Sequence, residues 1–259
     1  MSPFPPSPAA GLDGLRAVVT GSSRGIGRAI ALGLGSGGAR LVVHCRSSTD
    51  EGQQVVDQVR GLGADAHLLP ADLEEPRQCD ELVERSWAAL GGVDLWVNNA
   101  GADTLTGENA RLSFEEKLAL LIRTDLIATI RLSRMVGQRM QKAKGGHIIN
   151  MGWDQALTGM AGDSAELFSA VKGGIMSFSK SLALSLAPGV RVNCIAPGYI
   201  RTAWGEHVSA DWRQRVTDDT PLGRWGGPED IAAMVAFLAS SAAGFITGQV
   251  LCVNGGLVR

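Results

Sequence analysis

Seven short runs of aliphatic and β-branched residues recur along the chain, at 15–20, 40–45, 66–69, 93–99, 147–151, 190–196 and 249–254. Each is close to continuously hydrophobic, the pattern of a strand covered on both faces. Between the runs, apolar side chains return every three or four positions among polar ones. Two such stretches, 51–63 and 79–92, close on glycine, a common helix end. Alternation of strand and helix predicts a parallel sheet with helices on both sides, because right-handed crossovers place them there. The expected fold class is therefore α/β, a doubly wound three-layer sandwich around a central parallel sheet of about seven strands. With neither an internal repeat nor a linker, residues 13–259 read as one domain. Residues 1–12, rich in Pro and Ser and without a basic start, read as a flexible tail and not a signal peptide.

Composition narrows the partners. Lys and Arg number 24 against 26 Asp and Glu, a formal net charge of −2, so neither nucleic acid nor an anionic membrane is expected as a main partner. The charge-free stretch 231–258 is interrupted by serines, glycines and an asparagine, which favours a buried helix and strand over a membrane span. Cys45, Cys79, Cys194 and Cys252 show no paired spacing and read as reduced thiols of a cytoplasmic protein. The four histidines are far apart, and no metal role is assigned to them. A single tyrosine, Tyr199, becomes important below.

Candidate chemistry begins after the first strand. Thr20-Gly21-Ser22-Ser23-Arg24-Gly25-Ile26-Gly27 runs into a helix starting near Gly25. Glycines there permit a tight turn and close approach of a pyrophosphate, and the helix start offers N–H groups and a positive dipole end. The Thr-Gly-x-x-x-Gly-x-Gly spacing resembles that of the short-chain dehydrogenase/reductase family, which has a Rossmann-like fold. So do Asn98-Asn99-Ala100-Gly101 after the fourth strand and Pro197-Gly198 with Thr202 after the sixth. Pro221-Leu222-Gly223-Arg224 with Pro228-Glu229-Asp230, and Ile246-Thr247-Gly248-Gln249 leading to Asn254-Gly255-Gly256, extend the resemblance over roughly residues 13 to 257.

The resemblance implies a nicotinamide dinucleotide. An acidic residue at the end of the second strand would hold a ribose 2′-OH, whereas a 2′-phosphate wants positive charge. No acid occurs between Gly37 and Thr49; Arg46 follows the strand directly, and Arg24 adds a second cation in the glycine loop. NADPH/NADP+ is therefore the expected cofactor. By resemblance its site comprises Gly21, Ser23, Arg24 and Ile26 in the loop, Arg46 and Ser47 after the second strand, and Asp72 and Leu73 at the adenine. Asn99, Ala100 and Gly101 at the ribose, Lys172, and Pro197, Gly198, Ile200 and Thr202 complete it.

The family's catalytic pattern is Tyr-x-x-x-Lys with an upstream serine and an asparagine on an earlier helix. In this chain the corresponding segment is Phe168-Ser169-Ala170-Val171-Lys172: lysine is present, and phenylalanine replaces the phenol. The serine position falls on Trp153, in a loop about two residues longer than common family spacing, so that Asp154 or Gln155 is an alternative occupant. The asparagine position is Asp125. Carbonyl reduction builds negative charge on oxygen that hydroxyl donors stabilise, and loss of a general acid alone costs about 10²–10⁴ in rate. An ordinary alcohol dehydrogenase is not expected.

Three readings follow. In the first, NADPH-dependent reduction survives with an imine or iminium acceptor, which already carries positive charge; Asp125, Asp154, Asp163 and Glu166 are the carboxylates available to it. Asp163 and Glu166 also suit the first turn of the helix bearing Lys172. In the second, a C=O or enone substrate is reduced with a proton from Asp154, a water held by Asp125, or Tyr199. In the third, the protein is a cofactor-binding homologue without turnover, a scaffold or partner subunit. Residues 199–220 occupy the family's substrate-lid position, with Trp204, His207 and Trp212 as candidate substrate contacts or as pins holding the lid to the core. The helices around 112–142 and 165–186, with the final strand, resemble the family's dimer and tetramer faces, so a homotetramer, or failing that a homodimer, acting on a small molecule is expected.

Overall fold

The computed structural model describes residues 11–143, 145–202 and 208–258. Seven parallel strands form one sheet: β1 (Arg16–Val19), β2 (Arg40–Val43), β3 (Ala66–Leu68), β4 (Leu95–Asn98), β5 (Gly146–Met151), β6 (Val190–Pro197) and β7 (Val250–Val253). Their order is β3-β2-β1-β4-β5-β6-β7. All seven fall on the hydrophobic runs. β1 pairs with β2 on one side and β4 on the other, Val19 lying opposite both Val43 and Val97. The chain order reverses at that point, and ligand crevices in such sheets open outside the carboxyl ends of the strands there.

Alternation within each strand feeds two cores. Ala17 and Val19 join the cluster under α1 (Gly25–Ser36), α2 (Thr49–Gly61) and the helix Pro228–Ala239. Val18 and Trp96 join the opposite cluster, under α3 (Pro76–Leu90) and the helix Ala128–Lys142. Trp96 is fully buried, and its indole N–H donates to Asn98 Oδ1 at 2.7 Å. Asn98 in turn donates to Ser133 and Asn150, which satisfies the polar groups buried in that layer.

Two expectations are refined. The tail expected over 1–12 lies outside the described residues as far as residue 10, but Leu12 is already packed in the first core. The stretch around 112–142 is three consecutive pieces: α4 (Phe114–Leu121), a π-helical turn (Ile122–Ile127) and α5 (Ala128–Lys142). A capping box in which Ser113 and Glu116 bond each other's backbone starts α4. Then come α6 (Asp163–Leu186), α7 (Ala210–Asp219) and α8 (Pro228–Ala239). Among the described residues no helix is long and apolar enough to cross a membrane, and no group of His, Cys, Asp and Glu is arranged to hold a metal.

Candidate active site

A cavity of about 750 Å³ opens along the carboxyl ends of the strands. At one end, the turn from β1 into α1 is held by backbone groups. Gly21 takes a left-handed conformation (φ +62°), and a Cβ there would sit 2.8 Å from Ala100 Cα, so the position excludes any side chain. Thr20 Oγ1 accepts from the N–H groups of Asn99 and Ala100, both at 3.0 Å, and Asn99 Nδ2 donates to the carbonyls of Thr20 and Gly21. The Asn-Asn-Ala-Gly segment is thus a strut under the glycine loop. The first-turn N–H groups of α1 have no intrahelical partner, and Gly25 and Ile26 line the cavity.

His44, just past β2, is a residue that sequence reasoning missed. The Gly21 N–H donates to its Nδ1, and its Nε2 lies 3.0 Å from the Ala71 carbonyl, which fixes the tautomer with the proton on Nε2. Burial pushes its pKa down to about 4, with the Ala71 contact and the charge of Asp72 opposing. A neutral imidazole therefore ties the glycine loop to the segment after β3. Its signal was available as a polar residue ending an otherwise apolar strand.

Every residue assigned to the cofactor by resemblance lines this cavity: Gly21, Ser23, Arg24, Ile26, Arg46, Ser47, Asp72, Leu73, Asn99, Ala100, Gly101, Lys172, Pro197, Gly198, Ile200 and Thr202. Arg46 has a partner that the local sequence does not reveal. Its guanidinium lies 3.5 Å from Glu74, which also accepts from Arg123 at 3.1 Å. The Arg46 side chain is still 60% exposed.

At the other end the π-helical turn sets the position of the acidic group. It carries Asp125 inward to 1% exposure. One carboxylate oxygen, Oδ1, accepts from the Ala102 N–H at 2.9 Å, and Oδ2 lies 2.8 Å from Lys172 Nζ. A Cβ on Gly101 would come within 2.6 Å of Oδ2, so the glycine leaves the room this carboxylate occupies. One turn before Lys172 on α6, Phe168 faces the same cavity, and Trp153 packs against it edge to face with ring centroids 6.2 Å apart. Lys172 thus meets a carboxylate, where the family pattern would put a phenol beside it.

The other candidate carboxylates lie elsewhere. Asp154 opens a 3₁₀ turn (Asp154–Leu157); its side chain is wholly buried and does not line the cavity, and Oδ2 accepts from Asn254 Nδ2 at 3.0 Å. Burial raises its pKa, with that hydrogen bond opposing. Gln155 is buried in the same turn, so Trp153 alone of the three faces the cavity. Asp163 and Glu166 are solvent-exposed in the first turn of α6, where the helix dipole accounts for them. Asp154, Asp163 and Glu166 therefore leave the list of groups able to touch a substrate.

Tyr199 lines the cavity, with its hydroxyl 3.6 Å from Met160 Sδ. Burial raises its pKa, against a hydrogen bond from Gln155, and the charge of Asp154 raises it further. Its ring meets Trp212 at 6.0 Å, nearly perpendicular, and Trp225 at 5.7 Å. Trp212 lines the cavity, whereas Trp225, buried and donating from Nε1 to the Arg213 carbonyl, pins α7 to the core. Trp204 and His207 lie outside the described residues.

Comparison with known proteins agrees with this architecture. The family described as enoyl-(acyl carrier protein) reductase matches residues 21–258. The 3-oxoacyl-[acyl-carrier-protein] reductase FabG of Escherichia coli (strain K12) is 38% identical over 248 residues, covering 95% of this chain and 98% of the relative. That of Aquifex aeolicus (strain VF5) is 35% identical over 251 residues, with coverage of 95% and 98%. Among solved structures, a 7α-hydroxysteroid dehydrogenase complexed with NADH and 7-oxo glycochenodeoxycholic acid superposes with a TM-score of 0.87 at 30% identity, covering 99% of this chain and 98% of the other. A short chain dehydrogenase from Burkholderia cenocepacia J2315 in complex with NADP gives 0.84 at 32%, covering 95% and 98%. The chain belongs to the short-chain dehydrogenase/reductase family and is an oxidoreductase by class.

Proposed function

We propose that this protein is an NADP(H)-dependent reductase of a small C=N substrate, an imine or iminium. The observation that carries the reading is the buried pair of Lys172 and Asp125, 2.8 Å apart, with Phe168 beside it. Bound NADPH would supply a hydride. The chain supplies a glycine loop and helix start for the pyrophosphate, and Arg24 and Arg46 for the 2′-phosphate. One structural neighbour holds NADH and another NADP; the choice in this chain rests on those arginines. Lys172 lines the cavity between its two ends, placed to meet ribose hydroxyls, while Asp125 holds it in position. Neither Phe168 nor Trp153 can hand a proton to a nascent alkoxide. An iminium needs no such proton, and with the Lys172 charge offset by Asp125 it meets no unpaired cation beside it among the described residues. A homotetrameric or dimeric assembly in the cytoplasm, the family expectation, goes with this reading.

The test is NADPH consumption against matched panels of cyclic imines and ketones. Turnover of imines with ketones inert supports the reading, and the reverse overturns it. Tight NADPH binding with no consumption of either panel would support the non-catalytic alternative. Phe168→Tyr adds a second arm: under this reading, activity on oxygen substrates appears only in the variant.

A further inference from the structure

We infer that the far end of the cavity is a cation-binding box, so that the substrate carries positive charge that aromatic faces recognise. This rests on reading that end as the substrate end. Four half-buried aromatic side chains, Trp153, Phe168, Tyr199 and Trp212, line it together with Met160. They come as two corners. Trp153 and Phe168 meet at 64° with centroids 6.2 Å apart, and Tyr199 and Trp212 meet at 89° and 6.0 Å. In an edge-to-face pair one ring turns its edge to its partner, which leaves other ring faces free of that contact, and an electron-rich aromatic face is what holds an ammonium group.

The charges agree. Among the described lining residues at this end, the ionised side chains are Asp103, Asp125 and Lys172. Asp125 and Lys172 cancel as an ion pair at 2.8 Å, which removes the repulsion a lone lysine would exert on a cation. Asp103 remains, fixed in its loop by the N–H groups of Leu105 and Thr106. The cavity-lining arginines, Arg24 and Arg46, stand at the nucleotide end. The substrate end is therefore aromatic with a net negative charge. Among the described residues its one cation, Lys172, is already paired with Asp125, so the charge balance suits an amine, an iminium or a quaternary ammonium better than a carboxylate or phosphate tail.

The experiment uses a ligand that cannot react. Benzyltrimethylammonium, its neutral carbon isostere neopentylbenzene, and phenylacetate are titrated calorimetrically into the protein saturated with NADP+. The expected result is that the cation binds at least about tenfold more tightly than the neutral isostere, with phenylacetate weakest. Equal affinity for cation and isostere, or tightest binding of phenylacetate, would overturn the proposal. Trp212→Leu should lower cation affinity about tenfold while NADP+ affinity, measured in the same preparation as the check on folding, stays unchanged. Cation preference that survives the variant intact also counts against the box. Because the probes are not reduced, the two proposals fail separately. Cation preference without imine turnover leaves the box and removes the reaction, and imine turnover without cation preference does the opposite.

Discussion

At the nucleotide end of the cavity the contacts come largely from backbone: left-handed Gly21, the strut of Asn99 and Ala100, and the open first turn of α1. At the substrate end they come from side chains: Asp125 against Lys172, Phe168 against Trp153, and Tyr199 against Trp212. A backbone cradle fixes which residues are tolerated, because only glycine fits where a Cβ would collide. A wall of side chains can be rewritten position by position while the sheet beneath it is unchanged. The residues expected at the first end by resemblance line the cavity together, and at the second Phe168, Trp153 and Asp125 stand where the resemblance would put different, polar side chains.

The largest expected effect lies at the substrate end. Asp125→Ala strands the Lys172 ammonium, which is 12% exposed, and should lower unfolding free energy by about 3–5 kcal/mol in a denaturant titration. A loss under about 1 kcal/mol would mean that the pair does not hold this wall together.

Next comes acid at the nucleotide end. His44 is neutral in the fold down to about pH 4, whereas the unfolded imidazole takes up a proton near 6.5. Between those values the unfolded chain binds more protons, so stability is full above pH 6.5 and falls as pH drops toward 4, by about 3 kcal/mol in all. His44→Asn should flatten that part of the pH–stability curve. An unchanged slope would show that the imidazole does not tie the loop to Ala71. His147, also buried with its pKa pushed well below the usual value by burial and by Arg191, contributes in the same direction and remains in the variant.

A smaller effect concerns the choice of dinucleotide. Arg46 is well exposed and shared with Glu74, so solvent screens its contribution. Under the proposed preference for NADPH, Arg46→Ala should weaken NADPH binding by about tenfold in Kd, with NADH affinity little changed. Loss of both affinities equally would place Arg46 in the structure of the turn and not in recognition of the phosphate.

The smallest effect is of opposite sign. Asp154 is buried with a raised pKa, so its ionised form costs stability as pH rises above the unfolded value near 3.8. Asp154→Asn keeps an oxygen for Asn254 and should raise stability by about 1 kcal/mol at neutral pH without affecting cofactor binding. Destabilisation would mean that the carboxylate has a further partner.

Much of this was legible in the residues. Strands buried on both faces leave a run of apolar side chains that needs no tertiary information, and all seven were found that way. The nucleotide end was legible because glycine spacing reports backbone shape directly. The π-helical turn was not: Ile122–Ile127 continues the apolar pattern of the helices around it, so the pattern reveals the helix and hides the turn that aims Asp125. Asp154 read as available because its loop is about two residues longer than common family spacing, yet it turns beneath Gly198 toward Asn254, a residue one hundred positions away. Glu74 beside Arg46, and Trp225 under α7, are likewise products of packing between distant segments.

The tight fit of Asp125 between Gly101 and Lys172 also constrains the order in which this wall can be rebuilt. Replacing the aspartate first abandons a buried cation, whereas installing a phenol at Phe168 first gives that cation a second neighbour before the old one is withdrawn. The two substitutions are therefore expected to be epistatic, with the phenol first and the aspartate second as the less costly order.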